Sequence, residues 1–159
     1  VLGRGTVRAT GIGAGCHSTQ LSGSTVWNGG IPLPVKDLPV VSFSAEEQES
    51  PGLSRQIQRL LREREPGPAV LAFPGWPEPD YRRIAALAEA ITGGAGEGAL
   101  YVAVETDMAK ALGQALQLRR KAPCLCIDRI GLEPESYLDI GEPVGPCLPV
   151  VIKTLVLRS

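Results

Sequence analysis

The run Ala99-Leu100-Tyr101-Val102-Ala103-Val104, closed by Glu105-Thr106-Asp107 and continued by Met108 to Arg120, decides how the chain is read. The run is apolar without a break and short, which predicts a strand buried on both faces. After Met108, Leu112, Ala115 and Leu116 recur at helical spacing. Arg119, Arg120 and Lys121 gather near the end of that helix, where cations suit the dipole. A buried strand feeding a helix is the repeating step of an α/β sheet.

Upstream, the same step recurs twice. Pro39 to Ser44 is a short strand candidate, and Ser50-Pro51 reads as cap and first turn of a helix whose Leu53, Ile57, Leu60 and Leu61 form one apolar stripe. Pro66-Gly67-Pro68 stops it, Ala69 to Phe73 is a strand, and Pro74-Gly75-Trp76-Pro77 is a rigid turn. A helix over Asp80 to Ile91 follows, and Gly93, Gly94, Gly96 and Gly98 read as a flexible surface loop. Further upstream, Arg8 to Gly15 reads as a strand running into a glycine turn, and Thr19 to Trp27 as a second extended stretch ended by Asn28-Gly29-Gly30. Ile31 to Pro39 carries three prolines and predicts an extended connection rather than a central strand. Downstream, Cys124 to Ile130, Tyr137 to Ile140 and Val150 to Leu157 read as three strands that can add antiparallel edges. The expected fold is a single α/β domain over residues 1–159, a mixed, largely parallel sheet with helices packed on it.

Composition agrees. The 159 residues are 43% hydrophobic and 21% charged, close to globular averages, and only 4% aromatic, so Val, Leu, Ile and Ala must fill the core. With 16 Lys+Arg against 17 Asp+Glu, the net charge of -1 gives no general attraction for nucleic acid or anionic lipid. No apolar run approaches the roughly 20 residues of a membrane span, and the irregular spacing of Cys16, Cys124, Cys126 and Cys147 implies no disulfide framework. A reducing cytoplasm is the expected compartment. The start at Val1 without Met suggests an excised domain or a processed chain.

Candidate chemistry is sparse. Gly11, Gly13 and Gly15 follow a strand, where glycines let a backbone approach a phosphate or adenine, yet G-x-G-x-G is neither the dinucleotide fingerprint nor a phosphate loop, and a strand-end turn is the plainer reading. Glu105 and Asp107 sit where a buried strand meets a helix, the usual place for ligand or partner contacts in open α/β sheets; Asp107 also suits a helix cap. Lys110, one turn on, reaches a phosphate or stays solvated. Asp128 and Asp139 read as edge or hydrogen-bonded carboxylates. His17 beside Cys16, and Cys124-x-Cys126, lack the spacing of a metal site, and Ser22 and Ser24 lack a nucleophile elbow. No catalytic set emerges and no metal is expected.

Read together, Arg8-Ala-Thr-Gly-Ile-Gly-Ala-Gly15, Leu21-Ser-Gly-Ser-Thr-Val26, Pro32-Leu-Pro-Val-Lys-Asp-Leu-Pro-Val-Val41, Asp107 with Lys110-Ala-Leu-Gly-Gln-Ala-Leu116, Cys126-Ile-Asp128, Tyr137-Leu-Asp-Ile-Gly141 and Pro149-Val-Val-Ile-Lys-Thr-Leu155 resemble the C-terminal part of the EutA family, the ethanolamine ammonia-lyase reactivating factors. The resemblance implies part of an actin/Hsp70-like ATPase fold and a chaperone-like function: ATP-dependent release of damaged cobalamin from adenosylcobalamin-dependent ethanolamine ammonia-lyase. It implies ATP and Mg2+ as cofactors of the full-length protein, with none held tightly by this chain. It further implies the lyase and the N-terminal remainder of its own chain as partners, and a bacterial cytoplasm or ethanolamine-utilisation microcompartment as location. By position, Gly11, Gly13 and Gly15 match the turn that packs against adenosine in actin-like ATPases, although Ile12 and Ala14 separate glycines that are adjacent there. The first phosphate loop and catalytic carboxylates of such proteins lie upstream, so this chain is expected to be inactive alone. The alternative is a stand-alone small-molecule or cofactor-binding α/β domain without catalytic activity.

Overall fold

A computed structural model describes residues 14–23, 26–64, 67–144 and 148–157. Its strands are β1 (Ala14–Gly23), β2 (Val26–Asn28), β3 (Val35–Ser42), β4 (Val70–Phe73), β5 (Leu100–Val104), β6 (Cys124–Ile127), β7 (Ser136–Ile140) and β8 (Leu148–Leu157). Its helices are α1 (Ala45–Gln48), α2 (Leu53–Arg62), α3 (Tyr81–Ala95) and α4 (Ala109–Arg119). The strands form one mixed sheet in the order β1-β8-β7-β3-β4-β5-β6-β2. The block β3-β4-β5-β6 is parallel, while β7, β8 and β1 on one side and β2 on the other run antiparallel to their neighbours.

Alternation of side chains divides this block into two cores. Val41, Phe43, Leu71, Phe73, Val102, Val104, Cys124 and Cys126 face α2, α3 and α4. Val40, Val70, Ala72, Tyr101, Ala103, Leu125 and Ile127 face the other way, onto Leu138, Ile140, Leu148 and Val150 of β7 and β8 and onto Ile31, Ile130 and Leu132 from connections. Both faces of β5 are therefore covered, which is why its sequence is apolar at every position.

Four expectations are corrected. The stretch Cys124 to Ile127 is not an antiparallel edge: it pairs parallel with β5, because α4 returns the chain across the sheet as a crossover. The connection expected over Ile31 to Pro39 becomes β3 from Val35 onward. Pro39, which has no N–H to donate, is tolerated because it precedes the β4 ladder, which starts at Val40. Helix initiation lies at Ser44 rather than Ser50: the Ser44 hydroxyl accepts the Glu47 N–H at 3.1 Å and Glu47 accepts the Ser44 N–H at 2.8 Å, a reciprocal cap. Ser50 instead accepts the Gly52 N–H at 3.1 Å, and α2 starts without a side-chain cap.

Finally, Gly93 and Gly94 belong to α3, not to a loop. A Cβ on Gly94 would collide with the Ser54 carbonyl and come within 2.7 Å of Ile57 Cβ, so the glycine is what lets α3 lie against α2. The helix stops where Gly96 takes a φ of 76°.

Candidate functional site

The parallel strands β3 to β6 deliver their carboxyl ends to one edge of the sheet, and the sequence-predicted Glu105 and Asp107 lie there. The register Ala103↔Ile127 places Glu105 level with Arg129 and Val104 level with Asp128, so two strand ends present acids side by side. Ile130 N–H to the Val104 carbonyl (3.2 Å) and Glu105 N–H to the Phe73 carbonyl (3.3 Å) extend the ladders past the strands and hold these ends together.

Asp107 is not the cap of α4. The N-cap is Met108, without a side-chain bond, and the Ala109 N–H is taken by Asp128 Oδ2 at 3.3 Å from the neighbouring strand end. Asp107 turns outward and pairs with Arg129 at 3.1 Å, both side chains more than half exposed. The cap is thus tertiary. Asp128 is only 1% exposed, and its Oδ1 has no hydrogen-bond partner among the described residues. Burial, with the Asp107 carboxyl adding to it, raises the Asp128 carboxyl above the ordinary range against the pull of the Ala109 N–H and of Arg129. Such a group holds a proton more readily than a surface carboxylate does.

The rest of this edge is rigid. The Gln48 amide brackets Gly75, donating to its carbonyl at 2.9 Å and accepting its N–H at 3.0 Å. Gly75 has a φ of 71°, and a Cβ there would collide with Thr106 Oγ1 and reach Met108 Sδ at 3.0 Å. The turn after β4 is therefore pressed onto the turn after β5. Trp76 is buried beneath Arg83, whose guanidinium lies 5.8 Å from the ring centroid.

Every helix that follows a parallel strand at this edge has a carboxylate at its N-terminus: Glu47 in the α1 cap, Asp80 accepting the Arg83 N–H at 2.8 Å in α3, and Asp128 against α4. Helix N-termini are where an α/β sheet would bind phosphate. Here those positions already carry negative charge. Lys110 is exposed on α4 and is not drawn into the acidic cluster. Among the described residues this edge offers no cradle for a triphosphate, and no three His, Cys, Asp or Glu side chains gather as a cation site. Its carboxylate acceptors suit a hydroxyl or a basic surface group better than an anion.

Of the sequence-predicted glycines, Gly11 and Gly13 lie outside the described residues. Gly15 sits within β1, opposite Val156, at the far edge of the sheet, with β8, β7, β3 and β4 between it and β5. It does not meet Glu105 or Asp107. Cys124 and Cys126 are fully buried beneath α4 as free thiols, with Cys124 Sγ 3.2 Å from Gln117 Oε1. The hydrogen bond from Cys126, with Arg120 and Trp27 assisting against burial, brings Cys124 down to about 7, while the same bond and burial push Cys126 up. The Cys16 and His17 side chains and Cys147 lie outside the described residues.

Sequence reasoning missed the capping role of Asp128 and the contribution of Arg129. The signal was present: Asp128 is the first polar residue after the apolar run Cys124–Ile127, as Glu105 is after Leu100–Val104.

The model of a family described as "Ethanolamine utilisation protein EutA" matches residues 2–158. The "Ethanolamine ammonia-lyase reactivase EutA" of Escherichia coli (strain K12) is 34% identical over 162 residues, covering 97% of this chain and 34% of that protein. The protein of the same name from Salmonella typhimurium (strain LT2) is 34% identical over 165 residues, with the same coverage. The chain therefore spans about a third of the length of these curated relatives.

Proposed function

The chain belongs to the EutA family of ethanolamine utilisation proteins, and from that premise we propose that it serves as one domain of a factor that reactivates ethanolamine ammonia-lyase. One observation carries the reading: identity of 34% runs across 97% of the chain, so the whole domain is shared rather than a short motif.

In this reading the full-length protein uses ATP and Mg2+ to release damaged cobalamin from the lyase. The described residues do not themselves fit a triphosphate, because the helix N-termini at the carboxyl edge hold carboxylates. Nucleotide contact from this domain therefore rests on Gly11, Gly13 and Gly15. The exposed acids of this edge, Glu105 and Asp107, are assigned to protein contact, with basic groups of the lyase or of the remaining chain as their complement.

The test is a reactivation assay with full-length protein, ATP, Mg2+, intact adenosylcobalamin and lyase blocked by an inactive cobalamin. Recovery of deaminating activity is expected. Charge reversal by Glu105→Lys with Asp107→Lys should weaken capture of the lyase by about tenfold or more, with the fold intact by circular dichroism. Recovery without the factor would sink the reading. Undiminished capture by the reversed variant would remove the acidic edge from it.

A further inference from the structure

We propose that the groove opened where β7 parts from β3 binds an extended acidic peptide segment, one residue of which pairs with the free backbone edge of Ser42. β3 is the seam of the sheet. It pairs antiparallel with β7 only as far as Pro39↔Tyr137, and parallel with β4 from Val40 to Ser42. The Phe43 N–H bonds the Ala72 carbonyl at 2.9 Å, so Phe43 and Val41 direct their polar groups to β4. By alternation, Ser42 directs its N–H and C=O to the opposite side. Among the described residues that side has no strand at this level, because β7 begins at Ser136, opposite Val40. The residue that would face Ser42 in a continued register is Pro134, which has no N–H to donate, and Glu135 then turns the chain away with a φ of 64°.

The divergence leaves a groove of about 580 Å3 between these strands and the end of α2. Pro39, Val41, Leu60, Pro134 and Tyr137 make its apolar walls. Ser136 borders it, but by alternation its buried side chain shares the face of Leu138 and Ile140 rather than that of these walls. Among the described residues two charges line the groove, Arg64 and Glu135. Arg64 is half-buried and Glu135 exposed. Charge acts more strongly where solvent is reduced, so the groove favours a carboxylate beside Arg64. A free strand edge, apolar walls for alternate side chains and one less-solvated cation together describe recognition by strand addition.

The experiment needs no knowledge of the natural partner. The probe is a dye-labelled pentapeptide of alternating threonine and valine ending in aspartate, followed by fluorescence anisotropy and by amide exchange of the protein. Free protein should exchange the Ser42 amide faster than the Val41 amide, and the peptide should slow it. N-methylation of the peptide backbone should cost about tenfold in affinity or more, and a lysine in place of aspartate a similar factor. Arg64→Glu should reverse the preference between the acidic and basic peptides. No saturable binding at millimolar peptide overturns the proposal. So does equal binding of the N-methylated peptide, or a charge preference that Arg64→Glu leaves unchanged.

Discussion

At the scale of single residues, the two neighbouring aspartates at the carboxyl edge divide their roles by burial. Asp107, exposed and paired with Arg129, should contribute little: Asp107→Ala is expected to change stability by less than about 1 kcal/mol. Asp128→Ala removes the acceptor of the Ala109 N–H and should cost about 1 kcal/mol or somewhat more. Urea unfolding of the two variants checks the order, and a larger loss from Asp107→Ala would return the cap to that residue. The cap was misplaced on sequence because local spacing favours Asp107, whereas the acceptor comes from a strand end 19 positions away, a contact that only the sheet register creates. A second carboxylate titrates in the opposite sense to Asp128. Burial acts to raise Asp139, but the Asp37 N–H at 2.8 Å and Lys153 at 3.0 Å outweigh it and hold the carboxyl below its ordinary value. A depressed folded value means that the unfolded chain binds the proton more tightly, so this stabilisation is present above about pH 4 and is lost as pH falls through the folded value. Wild type should therefore lose stability more steeply than Asp139→Asn below about pH 4, as read by urea midpoints across the acid range. Parallel slopes would show that the ion cluster at the β3 bulge contributes nothing in solution.

Among the elements, α3 and α4 each carry a glycine where helix propensity alone would favour alanine. An ordinary Gly→Ala change inside a helix gains up to about 1 kcal/mol. At Gly94 the added methyl meets the Ser54 backbone and Ile57, and at Gly113 it meets the Trp27 side chain, with Cβ of Trp27 at 2.6 Å. Overpacking of this kind costs about 1–3 kcal/mol, which exceeds the propensity gain. Gly94→Ala and Gly113→Ala are thus both expected to lower the melting temperature. A rise in either would show that the neighbouring element yields without cost. Helix stripes such as Leu53, Ile57, Leu60 and Leu61, or Ile84, Leu87, Ala88 and Ile91, are legible because periodicity is local; the structure buries all but Leu60 and Leu61, which pack half-buried against the same core. Gly93 and Gly94 are not, since a glycine cluster reads as a loop unless one knows that a second helix lies against it. Likewise Cys124 to Ile130 reads as a strand that can add an antiparallel edge, because sequence does not name its neighbour; α4 carries the chain back alongside β5, and Cys124 to Ile127 pairs parallel there.

For the molecule as a whole, the sheet assigns different work to its two sides. The parallel pairing of β3, β4 and β5 is readable from strand and helix order, as is the antiparallel addition of β7 and β8, whereas the parallel place of β6 is not. The long β1–β8 ladder, from Ala14↔Leu157 to Gly23↔Leu148, is not, since it joins opposite ends of the sequence. That ladder places Gly15 at the edge of the sheet remote from the acids. Phosphoryl transfer needs oriented donors around the γ-phosphate, and such preorganisation is usually the largest catalytic term. The helix N-termini at the carboxyl edge, where such donors would be expected, are held by Ser44 with Glu47, by Asp80 and by Asp128. A triphosphate there would meet carboxylates instead. The 159-residue chain by itself is therefore expected to show no sustained phosphate release with saturating ATP and Mg2+, while the full-length protein, on the proposed reading, does. Removing the acid at α4 by Asp128→Asn should not create turnover, because one helix terminus supplies a single wall of a site. Sustained release by the chain alone, at the rate of the full-length protein, would place the catalytic groups within these residues and overturn the assignment of the carboxyl edge to protein contact.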